Sequence, residues 1–125
     1  MQCALRRNGD KIALKLEVAD TLWARLRGLM GRKQLPAGEG LLLVPCPQIH
    51  TCFMRFNIDV IFCDKTGRVL YVKEKMEPWR LGRFVRGGYY TLELPGGSLA
   101  GRVQAGDELL FADHFNNLTP GENNK

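Results

Sequence analysis

The stretch "HTCFMRFNIDVIFCDKTGRVLYV", residues 50–72, decides the fold of this 125-residue chain. Two runs of β-branched and aromatic residues, Val60–Cys63 and Val69–Lys73, flank a turn at Asp64–Gly67, a pattern that predicts a β-hairpin. Residues 50–59 instead place polar side chains among bulky apolar ones. That half predicts either a binding site or hydrogen-bonding support inside a β fold.

Most of the remaining chain is predicted as short strands. Residues 2–18 suggest two antiparallel strands around the Asn8-Gly9 turn, with apolar residues at every second position after it. Residues 49–56 are also strand-like. Further strands are predicted at residues 41–45, 89–95 and 108–112.

One segment changes from the two-residue period to a helical period. Apolar residues at three- and four-residue spacings predict a helix over Thr21–Met30, capped by Asp20 or Thr21. Its apolar residues, Trp23, Leu29 and Met30 among them, are expected to belong to the core. With one helix, a doubly wound parallel fold is excluded. The chain is predicted to be mostly β, an antiparallel β-barrel or jelly-roll-like sandwich with one short helix.

Length and composition fit one globular domain, predicted over residues 1–115, followed by a flexible polar tail at residues 116–125. No apolar run approaches the ~20 residues that span a bilayer, and no signal segment is visible at the N-terminus. The four cysteines are widely spaced, which favours reduced thiols and a cytoplasmic location over a disulfide framework.

Basic charge is concentrated in the first two thirds of the chain. Residues 1–86 hold 16 Lys and Arg against 8 Asp and Glu, whereas residues 87–125 hold 2 against 5. Such asymmetry suggests an acidic ligand or protein partner. Nucleic acid is not favoured, because no basic run exceeds two residues and no known nucleic-acid motif is present.

Three separated blocks recur in the order of one known family. They are "GLMGRKQLPAGEGLLL" at 28–43, "HTCFMRFNIDVIFCDKTGRV" at 50–69, and "LELPGG" at 92–97 followed by Gly106-Asp107. On these motifs the chain resembles the uncharacterised family called domain of unknown function 192, from about Leu16 to Phe111.

The resemblance implies a compact β fold of jelly-roll or barrel type with a helical element, and it implies no activity. Asn57 departs from the proline or threonine commoner there, and Gly96 from the usual alanine. Both positions are turns or strand ends, so the assignment stands. Many relatives look exported, whereas this sequence lacks an export segment, and an envelope role is therefore not favoured.

Five residues are candidates for ligand binding. They are His50, Thr51, Arg55, Asp59 and Glu93. We expect the Arg55 stem to lie among core atoms and its guanidinium to pair with Asp59 or Glu93. Such a pair would fix a hairpin to its neighbour, or the same groups would bind an anionic or peptidic ligand; both readings stay open.

Cys46, His50 and Cys52 allow two further hypotheses. A metal site would need a fourth ligand, Cys63 or His114, and the paired short spacings of zinc sites are missing, so no metal is expected. A hydrolytic or thiol-dependent enzyme would use the same three residues, with a thiolate beside a base.

The irregular connection at residues 76–88 is a candidate partner-binding loop. It holds Trp79, Arg80, Arg83, Phe84 and Arg86. Aromatic and arginine side chains on a long loop suit the gripping of a ligand or partner. The alternative is a loop that folds its aromatic rings onto the core.

The favoured function is a non-catalytic binding or accessory module that presents His50, Arg55 and the loop to an unknown acidic ligand or protein partner. The alternative is the small enzyme using Cys46, His50 and Cys52. We expect a monomer that needs no cofactor.

Overall fold

The computed structural model of the chain describes residues 1–113. Within them, one helix, α1, spans Leu22–Arg27. The strands are β1 (Gln2–Leu5), β2 (Lys11–Ala13), β3 (Lys15–Ala19), β4 (Glu39–Leu43), β5 (Ile58–Cys63), β6 (Val69–Met76), β7 (Tyr90–Pro95) and β8 (Leu109–Ala112). The predicted tail at residues 116–125 and His114 lie outside the described residues.

The strands form two sheets that pack face to face. A three-stranded sheet has the order β2-β1-β8, and a five-stranded sheet has the order β3-β4-β7-β5-β6. All pairs are antiparallel except β3 and β4, which are parallel. The mostly β prediction with one short helix is therefore confirmed. The sheets do not close into a barrel, so a sandwich is the fitting architecture.

The central strands of the five-stranded sheet, β4, β7 and β5, are buried on both faces, to which their residues point alternately. Ile61 and Leu92 face the three-stranded sheet and belong to the first hydrophobic cluster. Val60 and Phe62 face α1 and the long loops and belong to the second. Burial on both faces explains why every residue of β5 is buried and why its Val60–Cys63 run is continuously apolar rather than alternating.

The predicted hairpin is present as β5 and β6, joined by a turn that Asp64 organises. Its Oδ1 accepts hydrogen bonds from the Thr66 backbone N–H (2.8 Å), the Thr66 hydroxyl (2.6 Å) and the Arg68 backbone N–H (3.1 Å). The hydrogen bond from the Thr66 side chain is the main reason that the pKa of Asp64 is lowered. This is the local chemistry that favours Asp at the first position of a turn.

The predicted N-terminal hairpin is right only in its first half. β1 and β2 pair around the Asn8-Gly9 turn, but the chain leaves that sheet at Leu14, and β3 joins the other sheet. As a result Leu14 and Val18 are 55% and 45% exposed. The alternating pattern was shared by two strands of different sheets.

The helix is shorter and more exposed than its apolar spacing predicts. The Thr21 side chain accepts from the Ala24 N–H at 3.1 Å, as a capping residue does, and Gly28 ends the helix at φ 47°. None of its six residues is buried, and Trp23 is 72% exposed. Assigning Trp23 to the core was wrong, whereas Leu29, just beyond the helix, is fully buried. Within residues 1–113, no helix is long and apolar enough to cross a bilayer.

The segment at residues 49–56 is a loop and not the predicted strand. His50 makes one isolated bridge to Leu81, and the Met54 N–H donates to the Thr51 carbonyl in a turn. Phe53 adopts a positive φ of 63°, which turns the chain outward. The loop lies across the second face of the five-stranded sheet, beside α1, and there it shapes the candidate site.

Candidate functional site

A cavity of about 260 Å³ lies between α1 and the loop at residues 45–50. Its walls are mostly apolar, with Leu43 from β4 and Met54 from the following loop among them. Its polar lining includes two of the predicted residues, His50 and Glu93. The lining is completed by Leu22, Arg25, Leu26, Arg27, Gly28, Pro45, Cys46, Pro47, Gln48 and Ile49.

Glu93 is the polar group of the cavity without a partner. The side chain lies in the centre of β7, is 1% exposed, and its Oε1 accepts no hydrogen bond. Strand alternation turns it away from the three-stranded sheet and toward α1, where Gly28 closes over it: a Cβ at Gly28 would lie 3.6 Å from Oε1. Burial raises the pKa of Glu93 to about 8, against a smaller lowering by Arg32. The carboxyl group is therefore mostly protonated at pH 7.

His50 connects the loop to the helix. Its Nδ1 accepts from the Cys52 backbone N–H at 3.1 Å, and its Nε2 lies 3.3 Å from the Leu26 carbonyl oxygen. An accepting Nδ1 requires that Nε2 carry the proton, so Nε2–H donates to one of the last free carbonyl groups of α1. The imidazole thereby fixes the helix against the loop at the edge of the cavity.

Cys46 does not form the thiolate pair that the enzyme hypothesis needs. Its thiol donates to the Gln48 carbonyl at 3.1 Å, and burial raises its pKa. Both ring nitrogens of His50 contact backbone groups, so the imidazole is not placed as a base for Cys46 or Cys52. All four cysteines are free thiols. The geometry therefore offers no support for a thiol nucleophile.

Arg25 contributes positive charge to the cavity. Its Nη1 donates to the backbone carbonyls of Asp20 at 3.2 Å and Val44 at 3.4 Å. The other guanidinium N–H groups have no hydrogen-bond partner among residues 1–113. Arg27 also lines the cavity and is exposed. Glu93 is the one carboxyl group in the described lining, so the cavity is net cationic while Glu93 is protonated.

Asp59 does not join this cavity, although the sequence places it close to Glu93. In the β5–β7 register Asp59 lies opposite Leu94, and Val60 lies opposite Glu93, so the two carboxylates point to opposite faces of the sheet. The fully buried Asp59 accepts hydrogen bonds from three backbone N–H groups. They belong to Lys75 (2.8 Å), Gly97 (3.1 Å) and Leu99 (2.9 Å). Asp59 fixes the turn after β7 to the hairpin.

The expected pairing of Arg55 with Asp59 or Glu93 is wrong. Arg55 is exposed and lies in the loop before β5, and its guanidinium forms no ion pair with either carboxyl group. The prediction failed because it assumed a strand at residues 49–56 that would have carried Arg55 into the core.

Thr51 is a buried support for the 77–80 segment. Its hydroxyl donates to the Glu77 carbonyl at 2.6 Å and accepts from the Arg80 N–H at 2.8 Å. Its backbone also pairs with this segment, because the Trp79 N–H donates to the Thr51 carbonyl at 3.0 Å. Thr51 thus positions the next loop and does not face the cavity.

A second surface feature lies on the other side of α1. Trp23, Leu26, Met30 and Phe53 line an apolar groove of about 390 Å³, and the Phe53 ring contacts the Trp79 ring with centroids 4.6 Å apart. Trp23, Phe53 and Trp79 are 72%, 57% and 60% exposed. We call Trp23, Leu26, Met30, Phe53 and Trp79 together the apolar patch.

The two aromatic residues of the patch whose rings contact each other, Phe53 and Trp79, share an unusual backbone conformation. Phe53 has φ 63° and Trp79 has φ 64°, a region that side-chain-bearing residues avoid at a cost on the order of 1 kcal/mol. Neither ring is buried in the core, so core packing does not offset the cost of this backbone conformation. Strain of this kind persists where the surrounding hydrogen bonds enforce it, here through Thr51.

The other loop candidates are spread along residues 80–86. Arg80 forms an exposed ion pair with Glu77 at 3.3 Å, and the Arg83 guanidinium stacks on the Tyr71 ring at 4.5 Å. Phe84 is 61% exposed, and Arg86 is exposed. The aromatic rings at positions 79 and 84 do not fold onto the core.

The described residues offer no cluster of metal ligands. Within residues 1–113, no three His, Cys, Asp or Glu side chains gather as metal ligands.

Sequence reasoning missed that Trp23, Leu26 and Phe53 are exposed and that the half-buried Met30 lines a groove with them. The signal available was the helix itself, since Gly28 and Gly31 leave too few helical residues to bury a full apolar stripe.

Comparisons with known proteins agree on one family. The model of the family DUF192, described as "Uncharacterized ACR", matches residues 4–111. A UPF0127 protein of Thermococcus sibiricus is 33% identical over 76% of this chain, and one of Pyrococcus furiosus is 33% identical over 81%. The chain spans 64% of the length of the Thermococcus protein and 90% of the Pyrococcus protein.

Two solved structures share the fold. A protein of unknown function from Novosphingobium aromaticivorans aligns with a TM-score of 0.78 at 20% identity, over 89% of this chain and 84% of its own. A proposed transcription regulator from Sinorhizobium meliloti aligns with a TM-score of 0.76 at 24% identity, over 87% of this chain and 91% of its own. At these identities the likeness concerns the fold alone.

Proposed function

The chain belongs to the DUF192 family, and we propose from the geometry of its surface that it is a non-catalytic protein-binding module. Its apolar patch, flanked by arginines, holds an acidic, partly apolar segment of a partner protein. The observation that carries the proposal is the exposure of Trp23, Phe53 and Trp79 side by side on a small domain.

Exposure of three large aromatic side chains has a free-energy cost that a partner would remove. Burying one such side chain is worth about 1.5–3 kcal/mol. Single exposed apolar residues are ordinary, whereas a contiguous patch marks a binding surface. Aromatic residues are also enriched among those that dominate binding energy in protein interfaces.

The backbone strain at Phe53 and Trp79 supports the same surface. Thr51 makes hydrogen bonds that hold residues 77–80 in place, and this fixes the Trp79 ring against the Phe53 ring. A rigid pair of rings reduces the conformational entropy lost on binding. Strained positions are most often retained where function requires them.

Charge identifies the chemistry of the partner. Arg27 lines the groove, Arg55 follows Phe53 closely in sequence, and Arg80 follows Trp79; all three are exposed. Acidic side chains of a partner would pair with Arg27 and Arg55, and would compete with Glu77 for Arg80, while its apolar side chains cover the rings. A second copy of the chain would bring like charges together, so the module is expected to act as a monomer. Its free thiols suit the reducing cytosol.

The enzyme alternative has less support. A thiol-dependent mechanism needs a low-pKa cysteine with a base in reach. Cys46 instead has a raised pKa, and its thiol donates to a backbone carbonyl.

A selection of peptides tests the proposal directly. We would select random 16-residue peptides against the wild-type protein from a displayed library. The enriched sequences should combine Leu, Phe or Trp with Asp or Glu. A variant with Trp23→Ser and Phe53→Ser should bind them at least tenfold more weakly, because two anchors are lost.

Leu14→Ser is the matched control, since Leu14 is 55% exposed but lies between β2 and β3, away from the patch. It should bind the selected peptides like the wild type. Enrichment of basic peptides, or full binding by the patch variant, would contradict the proposal. Sedimentation that reveals a dimer broken by Phe53→Ser would assign the patch to a second copy instead.

A further inference from the structure

The cavity under α1 is a site separate from the apolar patch. The two share Leu26 and Arg27 but lie on different sides of the helix, and Glu93 lines only the cavity. We propose that this cavity binds the carboxylate end of a short apolar acid, whose oxygen accepts a hydrogen bond from the Glu93 carboxyl group. This inference does not depend on the proposed protein partner.

The unpartnered Glu93 is the first observation behind the proposal. A buried polar oxygen without a hydrogen bond is costly, and such groups call for an explanation. Glu93 Oε1 has no partner, and the side chain is 1% exposed at the base of an open cavity. A ligand oxygen at that place would complete the missing hydrogen bond.

The charges around Glu93 favour a carboxylate over an amine. Arg25 and Arg27 come from α1, and Arg32 beyond the helix also acts on Glu93. From β4 and β5, the residues opposite Glu93 are Leu41 and Val60, which carry no charge. The loop contributes Cys46 and His50, both hydrogen-bonded to backbone groups.

Protonation gives Glu93 the donor that a carboxylate ligand needs. Burial raises its pKa to about 8, so the O–H group is present at neutral pH. Two carboxyl groups then share one proton, and the positive charge of Arg25, which lines the same cavity, would offset the remaining negative charge. The proton stays between the two oxygens, and no covalent bond forms or breaks.

The size and lining of the cavity set the length of the ligand. A volume of about 260 Å³ corresponds to roughly nine water-sized groups. Hexanoate, with about eight non-hydrogen atoms, fits that volume. Its alkyl chain would contact Leu43, Ile49 and Met54.

The experiment titrates the full-length protein with hexanoate and with hexylammonium, followed by chemical-shift changes in two-dimensional NMR spectra. Wild-type affinity for hexanoate should fall about tenfold between pH 6.5 and pH 9, because Glu93 loses its proton over that range. Hexylammonium should bind at least tenfold more weakly than hexanoate at pH 6.5.

Two variants separate the hydrogen bond from simple burial. Glu93→Gln keeps an N–H donor, so it should bind hexanoate at both pH values with less than a twofold difference between them. Glu108→Gln is the matched control, because Glu108 pairs with Arg6 at a distant, half-exposed position. It should keep the tenfold pH dependence of the wild type.

Several outcomes would overturn the proposal. They are absence of saturable hexanoate binding at pH 6.5, wild-type affinity that does not change with pH, and pH dependence that persists in Glu93→Gln. Tighter binding of hexylammonium, strengthened at pH 9 and lost in Glu93→Gln, would assign the cavity to a cationic ligand instead. Thermal melting of each variant at pH 6.5 verifies that the comparison is made between folded proteins.

Discussion

Asp59 and Glu93 are buried carboxyl groups on adjacent strands of one sheet, and they have opposite environments. Asp59 accepts three backbone hydrogen bonds on the side of the three-stranded sheet. Glu93, opposite the next residue of β5, faces α1 with an unpartnered oxygen. A buried acid with all its partners acts as a structural support, whereas an unpartnered oxygen such as that of Glu93 calls for an explanation, which the ligand proposed above supplies.

The largest effect on stability is expected from removing the Asp59 carboxylate, which accepts three backbone hydrogen bonds. Asp59→Ala leaves three backbone N–H groups without an acceptor, the buried one of Leu99 and the partly buried ones of Lys75 and Gly97. We expect a loss of about 4 kcal/mol in the free energy of unfolding. Urea unfolding at pH 7 measures it. A loss below about 1 kcal/mol would show that the comparison with Glu93 has no energetic basis.

Replacement of Glu93, the buried carboxyl group without a partner, should increase stability instead of lowering it, by an amount that depends on pH. Between its ordinary pKa of 4.5 and its folded pKa of about 8, Glu93 is protonated in the folded chain and ionised in the unfolded chain. Folding takes up a proton there, so wild-type stability falls as pH rises.

Glu93→Gln should remove this fall and be more stable than the wild type at pH 8. The steepest difference is about 1.4 kcal/mol per unit of pH. Urea unfolding of both proteins at pH 4.5, 6 and 8 measures it, with Glu108→Gln as the exposed control. Parallel curves for wild type and Glu93→Gln would mean that Glu93 is ionised in the folded chain.

The buried Thr51 hydroxyl, like the Asp59 carboxylate, has its hydrogen-bond partners, but its removal is expected to have a smaller effect on stability. Thr51→Val removes a hydroxyl that serves the Glu77 carbonyl and the Arg80 N–H. We expect a loss of about 2 kcal/mol and faster amide exchange at Arg80. Thr66→Val is the control, because its exposed hydroxyl serves only the turn carboxylate. Unchanged exchange at Arg80 would show that Thr51 does not support the contact between the Phe53 and Trp79 rings.

The strands were predictable because their patterns are local. The β5–β6 hairpin carries its own turn chemistry at Asp64–Gly67, and β7 carries its alternation. The switch of sheets at Leu14 was not predictable, since one alternating run is equally compatible with a single strand.

The candidate site was half predictable. Motifs identified His50 and Glu93, and both line the cavity. The sequence could not separate the faces on which Asp59 and Glu93 lie, because that depends on the register of two distant strands. It also placed Arg55 in the core, since a strand was assumed where a positive φ at Phe53 turns the chain outward.

The smallest effect on stability is expected at Arg55. Because Arg55 is exposed and pairs with neither buried carboxyl group, Arg55→Met should change the free energy of unfolding by less than about 0.5 kcal/mol. A flanking cation instead contributes to partner binding, so affinity for a selected acidic peptide should fall about threefold. Arg55→Lys, which keeps the charge, should recover most of that affinity. If Arg55→Met lowers stability by several kcal/mol, the guanidinium has a buried partner after all. The contrast between the buried, fully partnered Asp59 and the exposed Arg55 would then fail.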